Sequence, residues 1–294
     1  MTLPGRAFGS ALDPAPSVRR LRVMLGTLVA IEATAGCESA ALTAIELAYE
    51  AMAAVDRLMH PLRAGSDLAR INGVRCGEAV RVDRSTWSVL KLAQRVHAAS
   101  SGTFDPCLPL LPGRLADLEL SDAARETSWA RAHRPLHLDL GGVAKGYAID
   151  RAIAVLHEAH CVTGLVNAGG DLRVFGARSE TMLLRHADGV CELLAFANTA
   201  LAVSDREARR RPLEHCGYYR RSGSSGSGPL RRFAAVLAPE AAVADALTKC
   251  VLLGGQAQAA DALRACGGVE LTGVLDRADA GPHVGPLSGS RSLS

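Results

Sequence analysis

The stretch Leu138-Asp139-Leu140-Gly141-Gly142-Val143-Ala144-Lys145-Gly146-Tyr147 concentrates residue types that can handle an anion. An alternating apolar run delivers the Asp139 carboxylate, paired glycines let backbone approach a ligand closely, and a helical pattern then opens with Lys145 in its first turn. A helix N-terminus carries unpaired N–H groups and partial positive charge, and lysine adds a compact point charge, so phosphate would be favoured there. The P-loop pattern G-x-x-x-x-G-K-S/T is absent. A tight strand-to-helix turn with Asp139 as its capping carboxylate would show the same pattern, and spacing alone leaves both readings open.

Other candidates carry a plain alternative too. Asp245 falls at the start of a late helix, where it would either cap the helix or bind a cation. Asp171, after Gly169-Gly170, reads as a turn acid more readily than as a ligand. Phe104 would serve equally as core, and His215-Cys216 is one isolated dipeptide, too little for a metal site. Lysine itself is scarce: of 33 basic residues only Lys91, Lys145 and Lys249 are not arginine. Arginine cannot replace a lysine where a compact, flexible charge is needed, so the places where lysine is kept are worth noting.

Composition excludes several classes. The 294-residue chain is 48% hydrophobic and 21% charged, too apolar for disorder. Its formal net charge of +3 lacks the basic excess of a dedicated nucleic-acid binder. Eight cysteines are scattered without a CxxC pair, which disfavours zinc and a disulfide framework and fits buried reduced thiols. Residues 1 to 18 show no apolar run after a basic start, and no membrane-spanning run of about 20 apolar residues occurs, so a cytoplasmic location is expected.

The elements that must position these residues follow from periodicity. Residues 21 to 33 read as two strands around a Gly26-Thr27 turn, and 39 to 59 as a helix stopped by Pro61. A short capped helix is expected over 66 to 72, a strand over 79 to 83, and a helix from Ser85 to Ala99. Leu136 to Leu140 reads as a strand, 144 to 157 as a helix, and 164 to 176 as a hairpin with a glycine turn. Strands are expected at 181 to 185, 191 to 197, 200 to 204 and 232 to 237, with helices over 240 to 253 and 256 to 265. The pattern predicts an α+β domain with a largely antiparallel sheet, over residues 21 to 276. A loose arm is expected before it, over 1 to 20, and a flexible tail after it, over 277 to 294.

Five blocks in order give this reading a more specific form: Leu25-Gly26-Thr27; Ser66-Asp67-Leu68-Ala69-Arg70-Ile71-Asn72; Gly102-Thr103-Phe104-Asp105-Pro106; LDLGGVAKGYAIDRA followed by GLVNAGGDLRVFG; and Ala244-Asp245-Ala246-Leu247-Thr248. Together they resemble the ApbE family, the FAD:protein FMN transferases, over roughly residues 21 to 266. The resemblance implies a T-fold-related domain that binds FAD in a cleft with Mg2+ at the pyrophosphate. It further implies transfer of FMN from FAD to a Thr or Ser hydroxyl of a target protein, with release of AMP. By position, Asp139, Lys145, Leu25, Thr103, Phe104 and Asp105 would face FAD. The Gly142 carbonyl, Asp245 and Thr248 would hold the metal, and Lys145 and Asp245 would be the catalytic pair.

Two departures from the family pattern stand out. The His-Ile-Ile-Asp-Pro-Arg-Thr-Gly-like segment has no equivalent between Ser204 and Arg232, where His215 is only a positional candidate. The family often has Thr four residues after the metal Asp, whereas this chain has Thr248 at the third place and Lys249 at the fourth. Both positions face the side of the helix that Asp245 faces, so either Thr248 ligates Mg2+ or the Lys249 ammonium occupies its place. The alternatives to transfer are a non-catalytic FAD-binding protein and a FAD pyrophosphatase in which water replaces the acceptor hydroxyl.

Overall fold

The computed structural model describes residues 16–122, 127–186, 189–205 and 231–271. The His215 region, the Gly/Ser-rich stretch 221 to 229 and the tail lie outside them. The chain opens with a hairpin, β1 (Ser17–Met24) and β2 (Thr27–Thr34), so pairing begins inside the segment expected to be a loose arm. Its turn is Leu25-Gly26, one residue earlier than the expected Gly26-Thr27, with φ of 52° and 70°. A two-residue hairpin loop that follows strand twist needs positive φ at both positions, and Met24 and Thr27 are left to pair across it.

Helix α1 (Glu38–Met59) follows, then α2 (Asp67–Gly73), capped by the Ser66 hydroxyl, which accepts from the Ala69 N–H at 3.0 Å. Strand β3 (Ala79–Arg81) and helix α3 (Arg84–Ala99) lead to β4 (Leu118–Leu120) and β5 (Trp129–Ala132). These three strands form a small sheet in the order β3-β5-β4, whose last two members are too short to show a period in sequence.

Helix α4 (Ala144–Glu158) precedes the hairpin of β6 (Thr163–Ala168) and β7 (Asp171–Gly176). A second hairpin, β8 (Glu180–His186) and β9 (Gly189–Phe196), stands apart from the main sheet. Strands β10 (Ala200–Asp205) and β11 (Phe233–Ala238), helices α5 (Ala241–Leu253) and α6 (Gln256–Cys266) and strand β12 (Val269–Glu270) complete the described chain. The main sheet has seven strands in the order β1-β2-β6-β7-β10-β11-β12, every pair antiparallel. The α+β, largely antiparallel expectation is borne out.

Helices α1, α4 and α5 lie side by side over one face of this sheet, α1 over β1 and β2, α4 over β6 and β7, and α5 over β10 and β11. All 13 residues of α5 are buried, as its apolar content on every side predicts. Burial of that helix forces its few polar side chains, Asp245, Thr248 and Lys249, to find partners inside the protein.

The expected strand over Leu136 to Leu140 does not form. It is an extended segment with one isolated bridge, Cys107 to Leu138, because its neighbours are a proline-containing loop and a side chain. The Asn72 amide brackets Leu138, donating to its carbonyl at 2.9 Å and accepting from its N–H at 2.8 Å, as a neighbouring strand would. Among the described cysteines, Cys107, Cys161 and Cys250 are buried free thiols as expected, whereas Cys37 and Cys76 are exposed. Burial pushes the Cys250 thiol up to about 12.

Candidate functional site

Two helices crossing over the sheet organise the site by capping each other. Gly146 lets them approach: a Cβ there would lie 2.3 Å from the Ala241 carbonyl oxygen. Asp150 of α4 accepts from the first N–H groups of α5, Ala241 at 2.9 Å and Ala242 at 2.8 Å, and pairs with Arg173 at 2.6 Å. Burial pushes the Asp150 carboxyl up, opposed by Arg173 and by those two N–H groups. In return Asp245 of α5 accepts from the Gly146 N–H, in the first turn of α4, at 3.2 Å. Both carboxylates satisfy donors that the helices leave orphaned, so Asp245 caps a helix start, though not its own.

Next to this crossing lies a cluster of two carboxylates and two ammonium groups. Asp245, 1% exposed, receives the Lys249 ammonium in an ion pair one helical turn away. Lys249, 4% exposed, also donates to Ser204 Oγ and Thr248 Oγ1, each at 3.1 Å. Thr248 Oγ1 donates back to the Asp245 carbonyl at 2.7 Å and lies 2.8 Å from Ser204 Oγ. Three N–H groups of the ammonium thus meet three oxygens. Asp171, at the head of β7, accepts from the Val203 N–H at 2.9 Å and pairs with Lys145 at 2.6 Å. Full burial pushes the Asp171 carboxyl up, with Lys145 pulling it down.

A narrow cleft lies beside the cluster, with a volume of about 10 Å³, lined by Thr103, Phe104, Asp105, Asp139, Gly142 and Lys249 among others. The turn after α3 delivers its near wall, since Gly102, with φ of 79°, donates to the His97 carbonyl at 2.8 Å and Phe104 N–H donates to Ser100 Oγ at 3.0 Å. Thr103 Oγ1 is buried and meets no hydrogen-bond partner among the described residues. Asp105 turns its carboxylate inward, where Oδ1 accepts from Cys107 N–H at 2.9 Å and Leu115 N–H at 3.3 Å. Asp139 Oδ1 accepts from Gly141 N–H at 2.8 Å, which makes the local turn; the carboxylate also borders the cleft.

Thr103, Phe104, Asp105, Asp139 and Gly142 therefore come together from two separate blocks, with Lys249 from a third stretch of chain. Asp245 and Thr248 lie behind Lys249, Lys145 turns to Asp171, and Leu25 sits half-buried in the β1–β2 turn. Sequence reasoning missed Ser204 and the structural role of Asn72, and it read Asp171 as a turn acid. The β6–β7 turn is instead Gly169-Gly170, with Asp171 paired to Ala168 in the strand beyond. No local signal marks Ser204; its partner is 45 residues away.

The donor set does not suit a divalent cation as arranged. Mg2+ wants free hard oxygens in octahedral order. Here one Asp245 oxygen holds an ammonium and the other a backbone N–H, while Asp171 is paired to Lys145. Two carboxylates and two lysines sum to no net charge. A dication about 4 Å from the ammonium would meet repulsion of order 8 kcal/mol at an effective dielectric near 20, enough to cancel what one carboxylate at that distance would contribute. Among the described residues no group of three His, Cys, Asp or Glu side chains gathers elsewhere to hold a metal. The Mg2+ expected from the resemblance thus meets a lysine where its ligands were assigned. No helix of the described residues is long and apolar enough to cross a membrane.

Comparison with known proteins agrees with the architecture. The crystal structure of the ApbE protein of Thermotoga maritima superposes with a TM-score of 0.71 over 83% of this chain and 89% of that one, at 22% identity. The apo form of the Pseudomonas stutzeri flavinyl transferase ApbE gives 0.69 over 86% and 90%, at 17% identity. The FAD:protein FMN transferase of Rhodobacter capsulatus is 26% identical over 191 residues, which is 55% of this chain and 36% of that protein. The chain thus aligns with only about a third of that relative's length. The model of the ApbE family matches residues 25–272, nearly the whole described fold, and the chain belongs to that family.

Proposed function

We propose that the protein transfers FMN from FAD to a Thr or Ser hydroxyl of a target protein and releases AMP. The observation that carries this reading is the convergence of Thr103, Asp139 and Gly142, from blocks far apart in sequence, on one cleft whose buried Thr103 hydroxyl has no partner among the described residues. A buried hydroxyl without a partner costs stability unless a ligand satisfies it. Family membership and the R. capsulatus relative supply the reaction class.

In this reading Thr103, Phe104, Asp105 and Asp139 hold FAD, and Leu25 and Lys145 extend the site along the same end of the sheet. The cleft as it stands, about 10 Å³, is far below the ~300–1,000 Å³ of pockets that enclose whole ligands, so FAD lies along its mouth unless the walls part. Phosphoryl transfer needs positioning and charge neutralisation more than covalent catalysis by the protein. The acceptor hydroxyl oxygen forms a bond to the FMN phosphorus and gives up its proton to solvent, the bond from that phosphorus to the bridging oxygen breaks, and AMP departs with that oxygen. Lys145 and Lys249, fixed by Asp171 and Asp245, would offer oriented ion-pair dipoles to the charge that develops. Asp245 acts here by holding Lys249, and no step runs through Mg2+.

Incubating the purified protein with FAD, with and without a Thr-containing target, tests the reading. AMP release together with target flavin fluorescence is expected. AMP without target labelling would indicate the pyrophosphatase, and bound FAD without AMP the non-catalytic binder that the lost His segment favours.

A further inference from the structure

We infer that the Lys249 ammonium is the resident cation of this cleft, standing beside Asp245 and Thr248 in place of a divalent ion, so that the protein binds a dinucleotide diphosphate without Mg2+. The inference deepens the FAD reading and rests on it for the identity of the ligand.

Lys249 is built into the site from several directions. Its ammonium is the partner of Asp245 and is steadied by Ser204 from β10 and Thr248 from α5. Its stem runs against Gly142, where a Cβ would stand 3.3 Å from Lys249 Cε. That contact puts the Gly142 backbone, from the block after Asp139, against the same lysine that holds the carboxylate and the hydroxyl. Lys249 is 4% exposed yet borders the cleft with Thr103, Asp139 and Gly142, so its buried charge lies behind the wall that an anion entering there would meet. A compact ammonium on a flexible stem fits this space; the broad planar arginine fork would not. In a chain that uses arginine for nearly every cation, two of its three lysines fall in this one cluster.

A tethered cation differs from a bound one in a measurable way, because chelators cannot remove it. FAD affinity is expected to be the same within about twofold in EDTA and in millimolar Mg2+. The apo protein is expected to bind no Mn2+ at millimolar concentration by electron paramagnetic resonance. In Lys249→Ala the Asp245 carboxylate oxygen and the Thr248 hydroxyl released by the ammonium should acquire a Mn2+ site beside the Gly142 backbone. FAD binding in that variant should fall at least about tenfold in EDTA and recover with Mg2+.

A wild-type protein that binds Mn2+ one-to-one, or whose FAD affinity rises tenfold or more with Mg2+, overturns the inference, as does a folded variant that gains no Mn2+. Lys249→Thr serves as the second variant, with circular dichroism to confirm folding, and the wild-type measurements need no variant at all. If the wild type binds no FAD under any condition the flavin reading fails, while the Mn2+ measurements still decide the role of Lys249.

Discussion

Removing Asp245 and Lys249 singly and together should show how tightly this pair is tied to the fold. Asp245→Ala leaves the Lys249 ammonium, 4% exposed, without its Asp245 counter-charge and strips the Gly146 N–H of its acceptor. Breaking one side of a buried ion pair costs about 3–5 kcal/mol, because the remaining charge stays desolvated. Lys249→Met should cost a similar amount by stranding the Asp245 carboxylate. The double variant removes both charges and leaves the unpaired Gly146 N–H and a small cavity, an expected loss of roughly 2–4 kcal/mol. The singles together would then exceed the double by at least about 2 kcal/mol, a coupling well outside ordinary additivity error. Urea unfolding of the four proteins, with unchanged slope, measures it. Singles that each cost under about 1 kcal/mol, or a cycle additive within about 0.5 kcal/mol, would refute the claim that this is a dry, mutually dependent pair.

Three further outcomes are expected. Thr103→Val keeps the side-chain volume but deletes a buried hydroxyl without a partner among the described residues, so thermal stability should not fall while FAD affinity drops about tenfold; unchanged affinity by fluorescence titration would remove Thr103 from the site. Gly146→Ala places a Cβ 2.3 Å from the Ala241 carbonyl oxygen and should cost at least about 1–3 kcal/mol, whereas Gly36→Ala, with nothing within 4 Å, should stay within about 0.5 kcal/mol; equal melting temperatures would contradict the close helix crossing. Arg178 holds the Glu32 carboxyl below its ordinary value, chiefly through a side-chain hydrogen bond. A lowered carboxyl favours folding above the unfolded glutamate value of about 4.3 and loses that contribution as pH falls through the folded value. The stability gap between wild type and Arg178→Gln should therefore be constant near neutrality and close in acid, and a gap independent of pH down to about 3 would count against the pairing.

The mutual capping of α4 and α5 links the fold to the cleft. Asp150 fixes the start of α5 and Asp245 the start of α4, so the helix carrying Lys249 and the helix carrying Lys145 cannot shift independently. Charge neutralisation in phosphoryl transfer depends on such fixed positions, since a displaced cation must reorganise before it helps.

Much of this was readable from residues alone. Apolar periodicity located α1, α3 and α4, because a buried stripe repeats every three to four residues whatever lies against it. The paired glycines before Lys145 and the Gly169-Gly170 turn were visible because backbone geometry restricts those positions locally. The blocks around Thr103, Asp139 and Asp245 identified the family before any coordinate was considered. What sequence left undecided was whether Thr248 or Lys249 faces Asp245, since both lie within one helical turn of it. The tertiary structure decides that both do, the lysine by its ammonium and the threonine by bracing it, with Ser204 arriving from a strand 45 residues away. Likewise only the packed state turns Asp171 from a turn residue into the partner of Lys145, and Leu136 to Leu140 from a strand into a segment held by Asn72. Local periodicity records which face of an element is buried; which polar groups meet inside depends on contacts between residues far apart in the chain, which no local pattern records.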